Sequence, residues 1–274
     1  MGSVQYFPSA GLQVAYERRG SGPLVVFLHG IGGNRSNWWR QLGSFARRYC
    51  AVAWDARGYG GSDDPPEGQL KFQDFADDLR ALLDHLGAGR AHLVGLSMGG
   101  MIIQDFYDRY PERVATLVLA GTSSGFGELT AEERHDFLER RLAPLNAGLT
   151  PADIAPKVVE VLAGSGADRK VRQELVESLS ALRAVPYMAA LRAIVTTDFR
   201  PVLPRIRVPT LVIVGSADRV LPEERSRALA GAIAGARLCV LPGIGHLSNI
   251  EAPAAFDAEV LEFLDAHATL ATAL

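Results

Sequence analysis

The sequence predicts an α/β fold in which a mostly parallel, twisted sheet is flanked by helices. Four short apolar segments lack the polar alternation of half-exposed strands, as expected for parallel strands that are covered on both faces. Segments with apolar residues at helical spacing lie between them, most clearly at 72–86. With 274 residues the chain is long enough for one large core plus an insertion. The four strands are expected at 24–28, 50–54, 92–95 and 114–120.

The second half of the chain changes character before strands resume. Between about 122 and 200 only helical patterns occur, and Thr130 with Glu133 forms a capping box that opens the first of them. A proline after Thr150 suits the first turn of a second helix. Further helices are expected at 171–183, 186–197 and 222–232, and further strands at 210–214 and 236–241.

These patterns divide the chain into a core and an insertion. We expect the core at 1–124 and 201–274, and a helical cap at 125–200, inserted after the sixth strand. The last residues, 268–274, have no strong pattern and are expected to fray.

The most specific motif is Gly-Leu-Ser-Met-Gly at 95–99, between an apolar strand and a helical pattern. A sharp strand-to-helix turn forces Ser97 into an unfavourable backbone geometry that small neighbours accommodate. The serine hydroxyl then lies at a helix N-terminus, where backbone N–H groups favour negative charge. The motif therefore predicts a nucleophile elbow.

A serine nucleophile needs a base and an acid, and both follow in chain order. Asp218 leaves the end of the strand expected at 210–214, and His246 leaves the end of the strand at 236–241. Catalytic groups in open parallel sheets gather at the carboxyl ends of strands. We therefore predict that Asp218 orients His246 and that His246 accepts the Ser97 proton.

An acyl-transfer site also needs donors for the developing oxyanion. The backbone N–H of Met98, directly after the nucleophile, is one candidate. The second is the N–H of Ile31, in the Gly-rich loop that follows the strand at 24–28.

Five segments carry a family resemblance: His-Gly at 29–30, Asp-Ala-Arg-Gly-Tyr-Gly-Gly-Ser at 55–62, 95–100, Asp218 and Gly-His at 245–246. Together they resemble the α/β-hydrolase superfamily over nearly the whole chain, which implies the α/β-hydrolase fold. The resemblance implies a structural role for Asp55 and Arg57.

Within the superfamily, segments 95–101 and 117–122 are similar to 3-oxoadipate enol-lactonases and their esterase relatives, but also to meta-cleavage C–C hydrolases and cofactor-free haloperoxidases. Ser97 argues against epoxide hydrolases and haloalkane dehalogenases, which use aspartate there.

Composition excludes several other classes. A net charge of −3 gives no reason to expect nucleic acid or an anionic membrane as partner. The first six residues lack a basic start and an apolar core, and no apolar run is long enough to span a membrane, so a cytoplasmic location is expected. Cys50 and Cys239 lie on expected strands without ligand-spaced neighbours, so neither a disulfide, a metal nor a cofactor is expected.

The pocket is harder to predict than the triad. Trp38 could form a wall or pack its helix onto the sheet, and the cap aromatics could be plain core. If the substrate carries a carboxylate, an arginine should face it, with Arg35, Arg140, Arg141 and Arg192 as candidates. The predicted pocket residues are His29, Trp38, Phe126, Tyr187, Val220 and Leu247.

The sequence thus predicts a serine hydrolase that cleaves a small carboxylic ester or lactone through an acyl-enzyme. Two alternatives use the same triad, a C–C bond hydrolase of meta-cleavage products and a perhydrolase-type haloperoxidase. A third is a ligand receptor built on a hydrolase fold.

Overall fold

The computed structural model describes residues 3–274, so Met1 and Gly2, which begin the predicted core range and the N-terminal segment discussed above, lie outside it. Its strands are β1 Gln5–Ser9, β2 Leu12–Arg19, β3 Leu24–Leu28, β4 Cys50–Trp54, β5 Ala91–Leu96, β6 Val114–Ala120, β7 Thr210–Gly215 and β8 Arg237–Leu241. Its helices are α1 Trp39–Phe45, α2 Gln73–His85, α3 Met98–Arg109, α4 Ala131–Asn146, α5 Pro151–Leu162, α6 Arg169–Ser180, α7 Ala184–Ile194, α8 Glu223–Gly231, α9 Ser248–Glu251 and α10 Pro253–Asp265.

The strands form one sheet in the order β1-β2-β4-β3-β5-β6-β7-β8. Among the eight strands given above, β1 pairs with β2 and β2 with β4 in antiparallel fashion, and the pairings among β3 to β8 are parallel. The predicted α/β fold is confirmed. Within residues 3–274 no helix is long and apolar enough to cross a membrane. Both cysteines are free thiols.

Helices cover both faces of the sheet, as the unbroken apolar strands require. One apolar layer includes side chains of α2, α3 and α8, and the other includes side chains of α1 and α10. Trp38 lies in the second layer, fully buried, with ring centroids 5.0 Å from Phe27 and 6.0 Å from Phe256. Its indole therefore packs in the core against β3 and α10, the packing role that the sequence left open beside that of a pocket wall.

Helices α4 to α7 lie between β6 and β7, in the segment 125–200, which we call the helical insertion. The predicted capping box forms at Thr130. The predicted proline stands in the first turn of α5, and Thr150 forms a second capping box there with Asp153. The ends of the insertion are joined by hydrogen bonds of 2.7 Å, one from Phe126 N–H to the Thr197 carbonyl and one from Phe199 N–H to the Ser124 carbonyl. The chain therefore leaves the sheet and returns to it at one place.

The C-terminal residues do not fray, contrary to expectation. Thr272 donates its N–H to the Arg90 carbonyl at 2.9 Å and accepts from Leu24 N–H at 2.8 Å, and Leu274 exchanges two hydrogen bonds with Gly22. These bonds satisfy backbone groups near the starts of β3 and β5. Because the partners are distant in sequence, local composition does not reveal the pairing.

Buried histidines make the fold sensitive to acid. His92 on β5 is fully buried, its Nδ1 lies 2.9 Å from Thr116 Oγ1, and burial, reinforced by nearby His267, lowers its pKa from 6.5 to about 4. Above pH 6.5 the imidazole is neutral in both states. Between pH 6.5 and 4 the unfolded chain binds a proton that the native state does not, so stability falls as the pH falls.

We expect this effect to cost the wild type about 2 kcal/mol of unfolding free energy between pH 7.5 and pH 5. In His92→Asn the amide can still bond Thr116 but does not titrate. Between pH 7.5 and pH 5 the variant should therefore lose about 2 kcal/mol less unfolding free energy than the wild type. Urea unfolding at both pH values measures the difference. His29, whose pKa burial also lowers, contributes equally to both proteins. Equal losses of unfolding free energy in the wild type and the variant would show that His92 is not the group responsible.

Candidate active site

Ser97 occupies the sharp turn between β5 and α3. It is one of two non-glycine residues with positive φ in the described chain, with φ 53° and ψ −116°. Its neighbours cannot carry side chains, because a Cβ on Gly95 would lie 2.6 Å from Gly100 N and one on Gly99 would lie 2.7 Å from the Leu28 carbonyl carbon. The turn therefore stores backbone strain at a residue whose side chain remains partly exposed.

Asp218 and His246 form a buried pair at the ends of β7 and β8. His246 Nδ1 lies 2.7 Å from Asp218 Oδ2. The other carboxylate oxygen accepts the N–H groups of Val220 at 2.8 Å and Leu221 at 2.9 Å, which fixes the carboxylate. When Nδ1 donates to Asp218, the neutral imidazole keeps its lone pair on Nε2, the form a general base needs.

The end of β6 lies between the serine and the acid–base pair. Ser97 N–H donates to the Ala120 carbonyl at 2.9 Å. A Cβ on the next residue, Gly121, would lie 3.4 Å from His246 Nδ1 and 3.5 Å from Asp218 Oδ2. The fold thus gathers the three predicted residues at one sheet edge. Ser97 Oγ and His246 are not hydrogen-bonded in this structure, a common state before substrate binds.

The loop after β3 lies directly against the serine. A Cβ on Gly30 would be 3.2 Å from Ser97 Cβ, so a side chain there would press on the serine. Ile31 follows in this loop, and Met98 supplies the first N–H of α3. Neither amide donates a hydrogen bond to another residue within 3–274. Two backbone donors beside the serine are therefore available to an anion.

His29 supports this loop and offers no free nitrogen to a ligand. Its buried Nδ1 donates to the Gly30 carbonyl at 2.8 Å, and Nε2 accepts the Ala56 N–H at 3.0 Å. Burial lowers the pKa of the ring, consistent with the neutral form. Both ring nitrogens hold backbone, so His29 shapes the loop, and its place in the pocket stays a prediction.

Asp55 and Arg57 have the structural role that the resemblance implied. Asp55 is fully buried and accepts N–H groups from Arg35 and Gly61, each at 2.7 Å, as well as the Arg35 guanidinium. Arg57 makes a bidentate pair with Asp78, at 2.7 and 2.6 Å. Both side chains are thus consumed in shaping the loop 55–62.

The remaining predicted pocket residues lie in packed or half-buried positions near the loops described above. Phe126 packs edge-on against Phe137, with centroids 4.7 Å apart. Tyr187 belongs to an apolar cluster of the insertion against which Ile31 packs. Leu247 is half-buried and touches both the core and the insertion. Val220 is half-buried beside Asp218.

Tyr59 was missed by the sequence reasoning. Its ring centroid lies 5.0 Å from that of His29, and its hydroxyl is buried without a hydrogen-bond partner in the described part of the chain. The residue sits in the loop 55–62, whose glycines and charges indicated a tight turn. The sequence signal that could have identified Tyr59 as a site residue is its aromatic hydroxyl in a loop that follows a strand.

Known proteins resemble this chain in both sequence and fold. Residues 23–186 match the family model of the α/β hydrolase fold. The chain is 32% identical to 3-oxoadipate enol-lactonase 2 of Acinetobacter baylyi, over 86% of each protein. A hydrolase from Pseudomonas aeruginosa PA01 has a TM-score of 0.86 at 32% identity, with 96% of this chain and 98% of that chain covered. The enol-lactonase from Burkholderia xenovorans LB400 has a TM-score of 0.83 at 28% identity, with coverage of 95% and 100%. This chain therefore belongs to the α/β-hydrolase fold family and is a hydrolytic enzyme.

Proposed function

We propose that this protein is a serine hydrolase that cleaves a small carboxylic ester or lactone through an acyl-enzyme. One observation carries the proposal: the buried 2.7 Å contact between His246 Nδ1 and Asp218 Oδ2 at the sheet edge that holds the strained Ser97 turn. The relationship to enol-lactonases supports the choice of ester or lactone substrates.

The mechanism follows from these positions. Ser97 Oγ attacks the substrate carbonyl while His246 Nε2 takes its proton, and Asp218 stabilises the imidazolium. The N–H groups of Ile31 and Met98 bind the oxyanion. Collapse of the tetrahedral intermediate breaks the substrate C–O bond and expels an alkoxide, which takes the proton from His246. In a lactone this alkoxide stays tethered to the acyl group. Water, deprotonated by His246, then attacks the acyl carbon. Collapse of this second intermediate breaks the bond to Ser97, whose Oγ takes the proton back from His246.

The helical insertion acts as the cap of this site, over a core formed by 1–124 and 201–274. The support is the packing of Ile31, from the proposed oxyanion loop, against the insertion's cluster of Leu142, Leu145, Tyr187 and Leu191. A cap in this place excludes water during acylation and selects the acyl group.

Arg141 of the insertion marks where an anionic substrate group would bind. Its guanidinium stacks on Phe137, with Cζ 3.5 Å from the ring centroid, and it has no carboxylate partner among the described residues. Burial lowers its pKa, an effect that nearby Tyr187 opposes. The other three arginines suggested for a substrate carboxylate are less suitable. Arg35 already pairs with Asp55, and Arg140 and Arg192 are exposed to solvent.

Two buried tyrosines lie near the loops at the sheet edge. Tyr187 belongs to the insertion cluster against which Ile31 packs. The Tyr59 ring lies against that of His29. Burial raises the pKa of Tyr187, with Arg141 acting against the rise. Burial also raises the pKa of Tyr59 well above 10, and Tyr187 adds to it. A half-buried guanidinium and a buried hydroxyl that lacks an acceptor are complementary to a carboxylate. A lactone or ester that carries a carboxylate is therefore the preferred substrate.

Ser97→Ala should lower kcat by about 10⁶. The change removes an oxygen that bonds no other described residue, so the fold should be unaffected. Steady-state hydrolysis of p-nitrophenyl esters, lactones and a meta-cleavage dienoate measures the effect. Full hydrolysis by the variant would refute the mechanism.

The wild-type enzyme separates the alternative functions. Turnover of the dienoate alone would indicate C–C hydrolysis, and peroxide-dependent halogenation alone would indicate a perhydrolase. Binding of these compounds without turnover would indicate a receptor.

Asp218→Asn should lower kcat by about 10⁴, because the amide can donate to Nδ1 and so favours the wrong tautomer of His246. The exposed Asp136 gives a matched control, since Asp136→Asn removes the same charge from the insertion. Both variants are compared by kcat on one lactone. Comparable rates for the two would exclude Asp218 from the triad.

Arg141→Met should raise KM for a carboxylate-bearing lactone by about 10- to 100-fold, because a charge-assisted hydrogen bond is lost. Methionine keeps an apolar contact with Phe137. The KM for a neutral ester should stay within about threefold. Arg140→Met, at the exposed neighbouring position, is the control. Equal losses on charged and neutral substrates would mean that Arg141 only stabilises the insertion.

A further inference from the structure

Glu251 on α9 lies five residues after His246 and has no part in the mechanism above. Its Oε2 accepts two backbone N–H groups, from Gly245 at 3.1 Å and from Gly164 at 2.9 Å. Gly245 precedes the proposed base, and Gly164 follows α5 in the helical insertion. One carboxylate oxygen therefore joins the loop of His246 to the insertion.

The two backbones meet too closely for side chains at this contact. A Cβ on Gly164 would lie 2.8 Å from Gly245 N and 2.9 Å from Glu251 Oε2. A Cβ on Gly245 would lie 2.7 Å from Glu251 Oε1. Beside them, the N–H of His246 itself donates to the Leu162 carbonyl at 2.9 Å. The main chain of the proposed base is thus held by the insertion, and Glu251 closes the contact.

The same end of α5 also reaches the loop of the proposed acid. Arg219, directly after Asp218, donates to the carbonyl of Glu160 and, at 3.3 Å, to that of Ala163. Within the insertion, Arg172 donates to the Gly164 carbonyl at 2.7 Å and orders the segment. The segment 160–164 therefore contacts both loops that carry the Asp218–His246 pair.

Glu251 Oε1 is buried and has no hydrogen-bond partner among residues 3–274. Burying an unpaired carboxylate oxygen is unfavourable. The two hydrogen bonds that Oε2 accepts offset this cost and keep the side chain in place. Loss of those bonds would release the Gly245 and Gly164 amides together. The main chain that carries His246 would then lose one of its supports.

We propose that Glu251 is a positioning residue for His246, which acts by fastening the base loop to the insertion. The inference rests on the proposed function, because it assigns His246 the role of base. A misplacement of about 1 Å in a catalytic group can cost about 10²-fold in rate. Glu251 contacts neither Ser97 nor the proposed carboxylate subsite in the contacts described, so its removal should affect kcat far more than KM.

The test compares Glu251→Ala, Glu251→Gln and Ser97→Ala. For the wild type and the Glu251 variants, kcat is expressed per active site titrated by a fluorophosphonate, and for Ser97→Ala, which lacks the serine that the probe modifies, it is expressed per enzyme chain. We expect Glu251→Ala to lower kcat by about 10- to 100-fold on neutral and charged substrates alike, with KM within about threefold. Glu251→Gln keeps an oxygen that accepts both N–H groups and should restore most of the rate. Glu262→Ala removes an exposed acid of α10 that pairs with Arg237, and should behave as wild type.

Gly164→Ala gives a second approach if Glu251→Ala does not fold. Its methyl group would press on Gly245 N and Glu251 Oε2 from the insertion side and should lower kcat in the same way. Wild-type kcat per titrated site in Glu251→Ala, or equal losses in the Ala and Gln variants, would overturn the inference. An active Ser97→Ala would instead overturn the proposed function, so the two failures are distinguishable.

Discussion

The close packing of bare backbone around Ser97 is the constraint on which the rest of the site depends. Gly95 and Gly99 let β5, α3 and the end of β3 approach within distances that any Cβ would block. Gly30 lets the next loop approach the serine from the other side. The strained turn at Ser97 is held by this packing, because the strand before it and the helix after it are both buried.

The parallel sheet turns this local geometry into a site. Strands β5, β6, β7 and β8 are adjacent and parallel, so their carboxyl ends deliver Ser97, Gly121, Asp218 and His246 to one edge. Gly121 stands between them at a φ of 46°, a conformation that favours glycine, and a Cβ there would lie only 3.1 Å from the His246 carbonyl oxygen. The insertion starts after β6 and its two ends meet, so it stands beside the same edge. Its contacts with the loops of Ile31, Asp218 and His246 involve the three loops that the proposed chemistry uses.

Much of this arrangement could be predicted from the sequence, because the decisive signals are local. Unbroken apolar runs predict buried parallel strands, and the strands at 24–28, 50–54 and 114–120 have the predicted bounds. Features that depend on distant partners could not be predicted. The sequence does not tell that Trp38 packs into the core, or that Thr272 pairs with Arg90. It also does not tell that Arg141, alone of the four candidate arginines, is half-buried without an acidic side chain as partner in the described chain. The contact of Glu251 with Gly164 spans 87 residues and has no local signature.

The acyl-enzyme at Ser97 can be detected by measuring the mass of the enzyme after rapid acid quench with a slowly deacylating ester, followed by peptide mapping. We expect one acyl group per chain, attached to the peptide that contains Ser97, and no adduct in a His246→Ala variant. An adduct on another residue, or rapid turnover without any acyl-enzyme, would show that Ser97 is not the nucleophile.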